Sequence, residues 1–134
     1  MLSQINHIGI AVKSLDDHIP FYKDVLKMEF AGTEEVAEQK VKVAMFKIGE
    51  AKIELLEPTS DESPIAKFIE KKGEGIHHIA YQTDDIEGEI KNIQDNDLRM
   101  IDKTPRMGAH DTKIAFIHPK ASGKVLTELT EIKK

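Results

Sequence analysis

A short apolar strand motif carrying one histidine occurs twice in the chain. Ile5-Asn6-His7-Ile8-Gly9-Ile10-Ala11 opens it, and Gly75-Ile76-His77-His78-Ile79-Ala80-Tyr81 repeats it. Aligned, His7 falls on His78, Ile8 on Ile79 and Gly9 on Ala80. Each half also holds a later apolar strand with a lone carboxylate. Glu54 sits in Lys52-Ile53-Glu54-Leu55-Leu56, and Glu128 in Val125-Leu126-Thr127-Glu128-Leu129. A period of about half the chain implies two copies of one supersecondary unit, so each half must give the same element order.

The rest of the chain fills in that unit. Leu2–Val12 alternates and is rich in Ile, which predicts a strand. Its period of two puts Ile5, His7, Gly9 and Ala11 on one face, and Ile8, Ile10 and Val12 on the other, against a helix. Ser14 to Met28 reads as that helix through Ile19, Tyr22, Val25 and Leu26, with Ser14 or Asp16 as cap. Pro20 favours the later start, since a proline deep in a helix loses a hydrogen bond. Strands follow over Glu29–Val36, Val41–Ile48 and Lys52–Glu57. Pro64–Lys72 reads as a short helix with Ser63 as cap, Pro64 at its first position and Gly73 as its stop.

The second half then repeats the pattern. Ile76–Thr83 is a strand, Ile86–Asp97 a helix, and Leu98–Asp102 a strand. Thr104–Asp111 is a loop, and Asp111–His118 and Val125–Glu131 are the closing strands. The expected class is α+β, with two βαβββ modules in one domain of 134 residues. The first module covers about 1–58, a linking helix about 63–73, and the second module about 75–132.

Composition narrows the chemistry. A net charge of −5 argues against nucleic acid as a partner. There is no apolar run of membrane-spanning length and no signal-peptide pattern, so a cytoplasmic protein is expected. With no cysteine, any metal site must use nitrogen and oxygen ligands. A lone carboxylate in an apolar strand is more often a paired core charge than a ligand, and a lone histidine more often a satisfied core residue. The recurrence in both halves turns the balance toward ligation by His7, Glu54, His78 and Glu128. Adjacent His77 and His78 point to opposite faces. His78 matches His7, so His77 is read as structural. Lys120 and Lys124 flank the last turn, where they would meet phosphates or simply be solvated.

These residues resemble the vicinal oxygen chelate (glyoxalase) superfamily, and within it the methylmalonyl-CoA epimerases. The similarity runs over nearly the whole chain. It is carried by His7–Ala11, Glu54-Leu55-Leu56-Glu57-Pro58, Ser63–Phe68, Gly75–Ala80, His118-Pro119-Lys120 and Gly123–Leu129. The resemblance implies two βαβββ modules forming a cupped, half-open eight-stranded sheet around one divalent ion. The implied ligands are His7, His78 and Glu128, with Glu54 where some members carry glutamine. It also implies a homodimer, an acyl-CoA substrate, and cobalt or else manganese, zinc, nickel or magnesium.

The implied reaction is epimerisation of methylmalonyl-CoA by proton abstraction and return at carbon 2, through a metal-stabilised enolate. Many epimerases carry a candidate base in a stretch like Glu-Gln-Gly-Val-x-Glu. Here that stretch is Glu38-Gln39-Lys40-Val41-Lys42-Val43, so Val43 stands at the glutamate position. Proton transfer is therefore expected to fall to Glu128 and Glu54. Two other readings fit the same fold: a lactoylglutathione lyase, and a non-catalytic small-molecule-binding resistance protein. Retention of all four candidate ligands weighs against the second of these.

Overall fold

The structure is a computed structural model that describes residues 1–132. The class is α+β, with an eight-stranded sheet. The strands are β1 (Leu2–Ala11), β2 (Glu29–Val36), β3 (Val41–Ile48), β4 (Ala51–Pro58), β5 (Gly75–Thr83), β6 (Arg106–Met107), β7 (Thr112–Ile117) and β8 (Thr127–Ile132). The α-helices are α1 (Leu15–Pro20), α2 (Pro64–Lys72) and α3 (Ile86–Asp95). Among the described residues, no helix is long and apolar enough to cross a membrane. The described residues divide into two compact units, residues 7–77 and residues 1–6 with 78–132.

In residues 7–77 the strand order is β2-β3-β4-β1. β1 and β4 run parallel, with Gly9 opposite Glu54 and Ala11 opposite Leu56. Both faces of this sheet are covered, and the alternation of β3 shows how. Val41, Val43 and Met45 join Ala11, Leu56 and Ile65 under α2. Ala44 and Phe46 face the other way, joining Val12, Leu15 and Leu55 with Ile10, Ile19 and Tyr22 beside them. The expected outward face of β1 thus meets the first helix, as its period of two requires.

The first helix departs from expectation. It begins at Leu15, with Ser14 at the cap position but no side-chain bond from it, and Pro20 lies inside it. Proline has no N–H to return to the turn before it. The chain continues as a π-helix over Phe21–Val25, in which Leu26 N–H reaches the Phe21 carbonyl at 2.9 Å. α2 forms where expected. Ser63 Oγ accepts from Ile65 N–H at 3.2 Å, and Gly73 ends the helix at φ 78°.

In residues 1–6 with 78–132 the strand order is β1-β5-β8-β7-β6. β5 and β8 are parallel, with Ala80 opposite Glu128. One face packs on α3 through Ile86, Ile90, Ala115, Ile117 and Leu129. The strand expected over Leu98–Asp102 is absent. That stretch makes a single bridge from Met100 to Ile117. The Asp102 carboxylate accepts from Phe116 N–H at 2.9 Å, so a side chain occupies a ladder position. The sixth strand instead lies at Arg106–Met107, inside the expected loop. β8 begins at Thr127 rather than Val125, because the Ser122 hydroxyl takes the Val125 carbonyl.

Candidate functional site

The same three-part arrangement occurs once in each unit. Gly9 lies two residues past His7 and pairs with Glu54. Ala80 lies two residues past His78 and pairs with Glu128. Residues two apart on a strand share a face, so each register brings a histidine and a glutamate to the same side of a parallel strand pair. The residue between them is small, Gly9 in one unit and Ala80 in the other.

In residues 7–77, His7 Nδ1 stands 3.4 Å from Glu54 Oε2. The two are only 5% and 6% exposed. Burial pushes the His7 imidazole down to about 3, with nearby Lys52 adding to the effect. Burial pushes the Glu54 carboxyl up to about 7, against the pull of Lys52 and with repulsion from Glu34. Both shifts favour the uncharged forms, so this contact near neutral pH is not a simple ion pair. A neutral imidazole is the form that ligates a metal.

In the other unit, His78 Nε2 stands 3.3 Å from Glu128 Oε1. Both are buried. The Thr130 hydroxyl donates to Glu128 Oε2 at 2.5 Å. The Phe116 ring meets the His78 ring edge to face, with centroids 5.5 Å apart. The Arg106 guanidinium lies 5.6 Å from the Phe116 ring centroid and 3.4 Å from Asp102.

The structure therefore pairs His7 with Glu54 and His78 with Glu128. His77, read as structural, packs edge to face on Phe68 of α2 at 5.0 Å. Its half-buried ring is pushed down to about 4, by burial and then by Lys72. His18 lies 3.0 Å from Glu74, and His118 Nδ1 accepts from Lys120 N–H at 3.1 Å, so both serve local structure. Val43 is buried in the core under α2 and carries no proton.

Sequence reasoning gave no bonding role to Thr130, Glu57 or Glu131. Glu57 accepts from the Leu15 amide at 2.8 Å, and Glu131 from the Ile86 amide at 2.9 Å. The signal was present as Glu-x-x-Glu in both halves, Glu54 to Glu57 and Glu128 to Glu131.

Comparison with known proteins follows the same lines. Residues 6–116 match the glyoxalase/bleomycin resistance protein/dioxygenase superfamily. The chain is 45% identical over 132 residues to the uncharacterized protein YqjC of Bacillus subtilis (strain 168), covering 98% of this chain and 94% of that one. It is 37% identical over 131 residues to the mitochondrial methylmalonyl-CoA epimerase of Dictyostelium discoideum, covering 97% of this chain and 79% of that one. A solved methylmalonyl-CoA epimerase in complex with methylmalonyl-CoA and NH4+ matches with a TM-score of 0.94 at 40% identity, covering 98% and 96% of the two chains. The repeated histidine–glutamate register and these full-length similarities place the chain in the methylmalonyl-CoA epimerase family of that superfamily, a family of isomerases.

Proposed function

We propose that the chain is a metal-dependent epimerase that interconverts the 2R and 2S forms of methylmalonyl-CoA. The observation that carries this reading is the buried His78–Glu128 pair, at 3.3 Å, with the same histidine–glutamate register repeated at His7 and Glu54; His7, His78 and Glu128 are the ligands proposed for the ion. The donor chemistry fits. Two imidazoles and one carboxylate, with no sulfur, suit a borderline divalent cation such as cobalt, manganese, zinc or nickel better than magnesium. His7 is already in its ligating form, because burial holds it neutral.

Carbon 2 of such a substrate lies between a thioester carbonyl and a carboxylate. Loss of its proton spreads negative charge over those oxygens, and return of a proton to the other face inverts the centre. A divalent cation supplies electrostatic stabilisation of that charge when bound.

The protein's own residues supply proton transfer and enclosure. Glu54, pushed up to about 7, can hold or release a proton near neutral pH with little driving force lost. Glu128 is the second carboxylate, since Val43 offers no base on its strand. Burial of all four side chains lowers the local dielectric and strengthens each polar interaction there. The same reading carries an acyl-CoA substrate and a homodimer.

The test is proton–deuterium exchange at carbon 2 of methylmalonyl-CoA in heavy water, followed by NMR. Metal-stripped protein should be silent, and added cobalt should restore both exchange and 2R/2S interconversion. Failure of the cobalt-loaded protein to exchange that proton would overturn the proposal.

A further inference from the structure

Two carboxylates stand at equivalent places in the two halves, but their surroundings differ. Glu54 on β4 and Glu128 on β8 occupy the same register against their parallel neighbours. Each lies beside a buried histidine, at 3.4 Å and 3.3 Å. The difference lies two residues further along each strand, on the same face. On β8 that residue is Thr130, 1% exposed, whose Oγ1 donates to Glu128 Oε2 at 2.5 Å. On β4 it is Leu56, buried in the core under α2, which has no hydrogen to donate.

A donor to one carboxylate oxygen stabilises the ionised form and fixes the plane of the group. It also engages Oε2, while Oε1 is the atom turned toward His78. We infer that Thr130 is a positioning residue that orients Glu128 as a carboxylate ligand of the cation. It acts through Glu128 by orienting the carboxylate and holding one of its two oxygens. This inference rests on the cation reading given above.

The experiment uses the metal-stripped full chain and cobalt alone. Thr130→Val removes the hydroxyl and keeps the branched shape, while Thr130→Ser keeps the hydroxyl. Cobalt affinity is measured by titration calorimetry, and the ligand field by visible absorption. Loss of an outer-shell partner should weaken cobalt binding by about 10- to 100-fold in the valine variant and shift its absorption bands, with the serine variant close to wild type. Equal affinity and an unchanged spectrum in a folded valine variant would overturn the inference while leaving the cation reading intact. If that variant does not fold, Thr130→Ala against Thr130→Ser makes the same comparison. Failure of the wild-type chain to bind cobalt would remove the cation reading, and this inference with it.

Discussion

The Glu57 carboxylate accepts a hydrogen bond from the backbone amide of Leu15, at 2.8 Å across 42 residues of sequence. Glu131 does the same for Ile86 in the other half, at 2.9 Å. In both halves the glutamate three residues past the site glutamate holds the start of the helix that follows the histidine strand. The first amides of a helix lack partners within it, and a negative group there also meets the favourable end of the helix dipole. Glu57→Ala and Glu131→Ala should each lower unfolding free energy by about 1 kcal/mol, as loss of an N-terminal cap does. Urea denaturation of the two variants measures it. An effect within error of zero for both would show that water replaces the carboxylate at no cost.

Glu54→Gln separates holding an ion from moving a proton. The amide keeps the size of the side chain but cannot exchange a proton. Cobalt affinity should stay within a few-fold, while kcat for epimerisation falls by about 100-fold or more, the usual scale for loss of a positioned acid or base. Glu128→Gln should instead lose much of its cobalt affinity. Normal turnover by the Glu54 variant would restrict Glu54 to a structural part.

His77 should make the metal-free protein sensitive to acid. Its ring is pushed down to about 4 in the folded chain, from an ordinary value of 6.5. The folded state thus binds fewer protons than the unfolded state between those values. Stability from the neutral ring is fully present above 6.5 and is lost as pH falls toward 4. Wild type and His77→Asn can be compared by urea unfolding in chelator between about pH 7 and pH 4.5. The advantage of wild type should shrink steadily on acidification, and a constant difference would rule the ring out as the source.

Lys40 sits in the left-handed region, with φ 54° and ψ 48°, between the turn Ala37–Gln39 and β3. A side chain there meets its own carbonyl, at a strain of about 1–2 kcal/mol that glycine avoids. The Lys40–Glu62 ion pair at 2.7 Å is exposed and is worth less than that, at roughly 0–1 kcal/mol. Lys40→Gly should therefore leave the protein as stable or raise its thermal midpoint by a few degrees, as read by calorimetry. A clear drop would show that the ion pair outweighs the backbone strain.

Much of this architecture is legible from residue patterns alone. The period of two in β1 correctly separates His7 and Ala11 from Ile10 and Val12, because its two faces pack against different helices. Ser63, Pro64 and Gly73 mark α2 because each satisfies a specific backbone need. Leu98–Asp102 misleads because its apolar residues suggest a strand, while the Asp102 side chain reaches back to the Phe116 amide. The repeat picks out His7, Glu54, His78 and Glu128, while the parallel register decides which histidine stands beside which glutamate. The bonds from Thr130 and to Glu57 and Glu131 do not follow from the repeat, because polar side chains within a strand can bond in several directions, and only the parallel register decides which.

Each histidine–glutamate pair joins the first strand of its half to the fourth, side by side and parallel. Two parallel strands cannot be closed by a tight turn, so everything between them must be made before they meet. During synthesis His7 therefore waits for β4, and His78 waits for β8. No shorter fragment of either half can assemble its imidazole–carboxylate couple, so these couples report completed tertiary structure rather than local chain order.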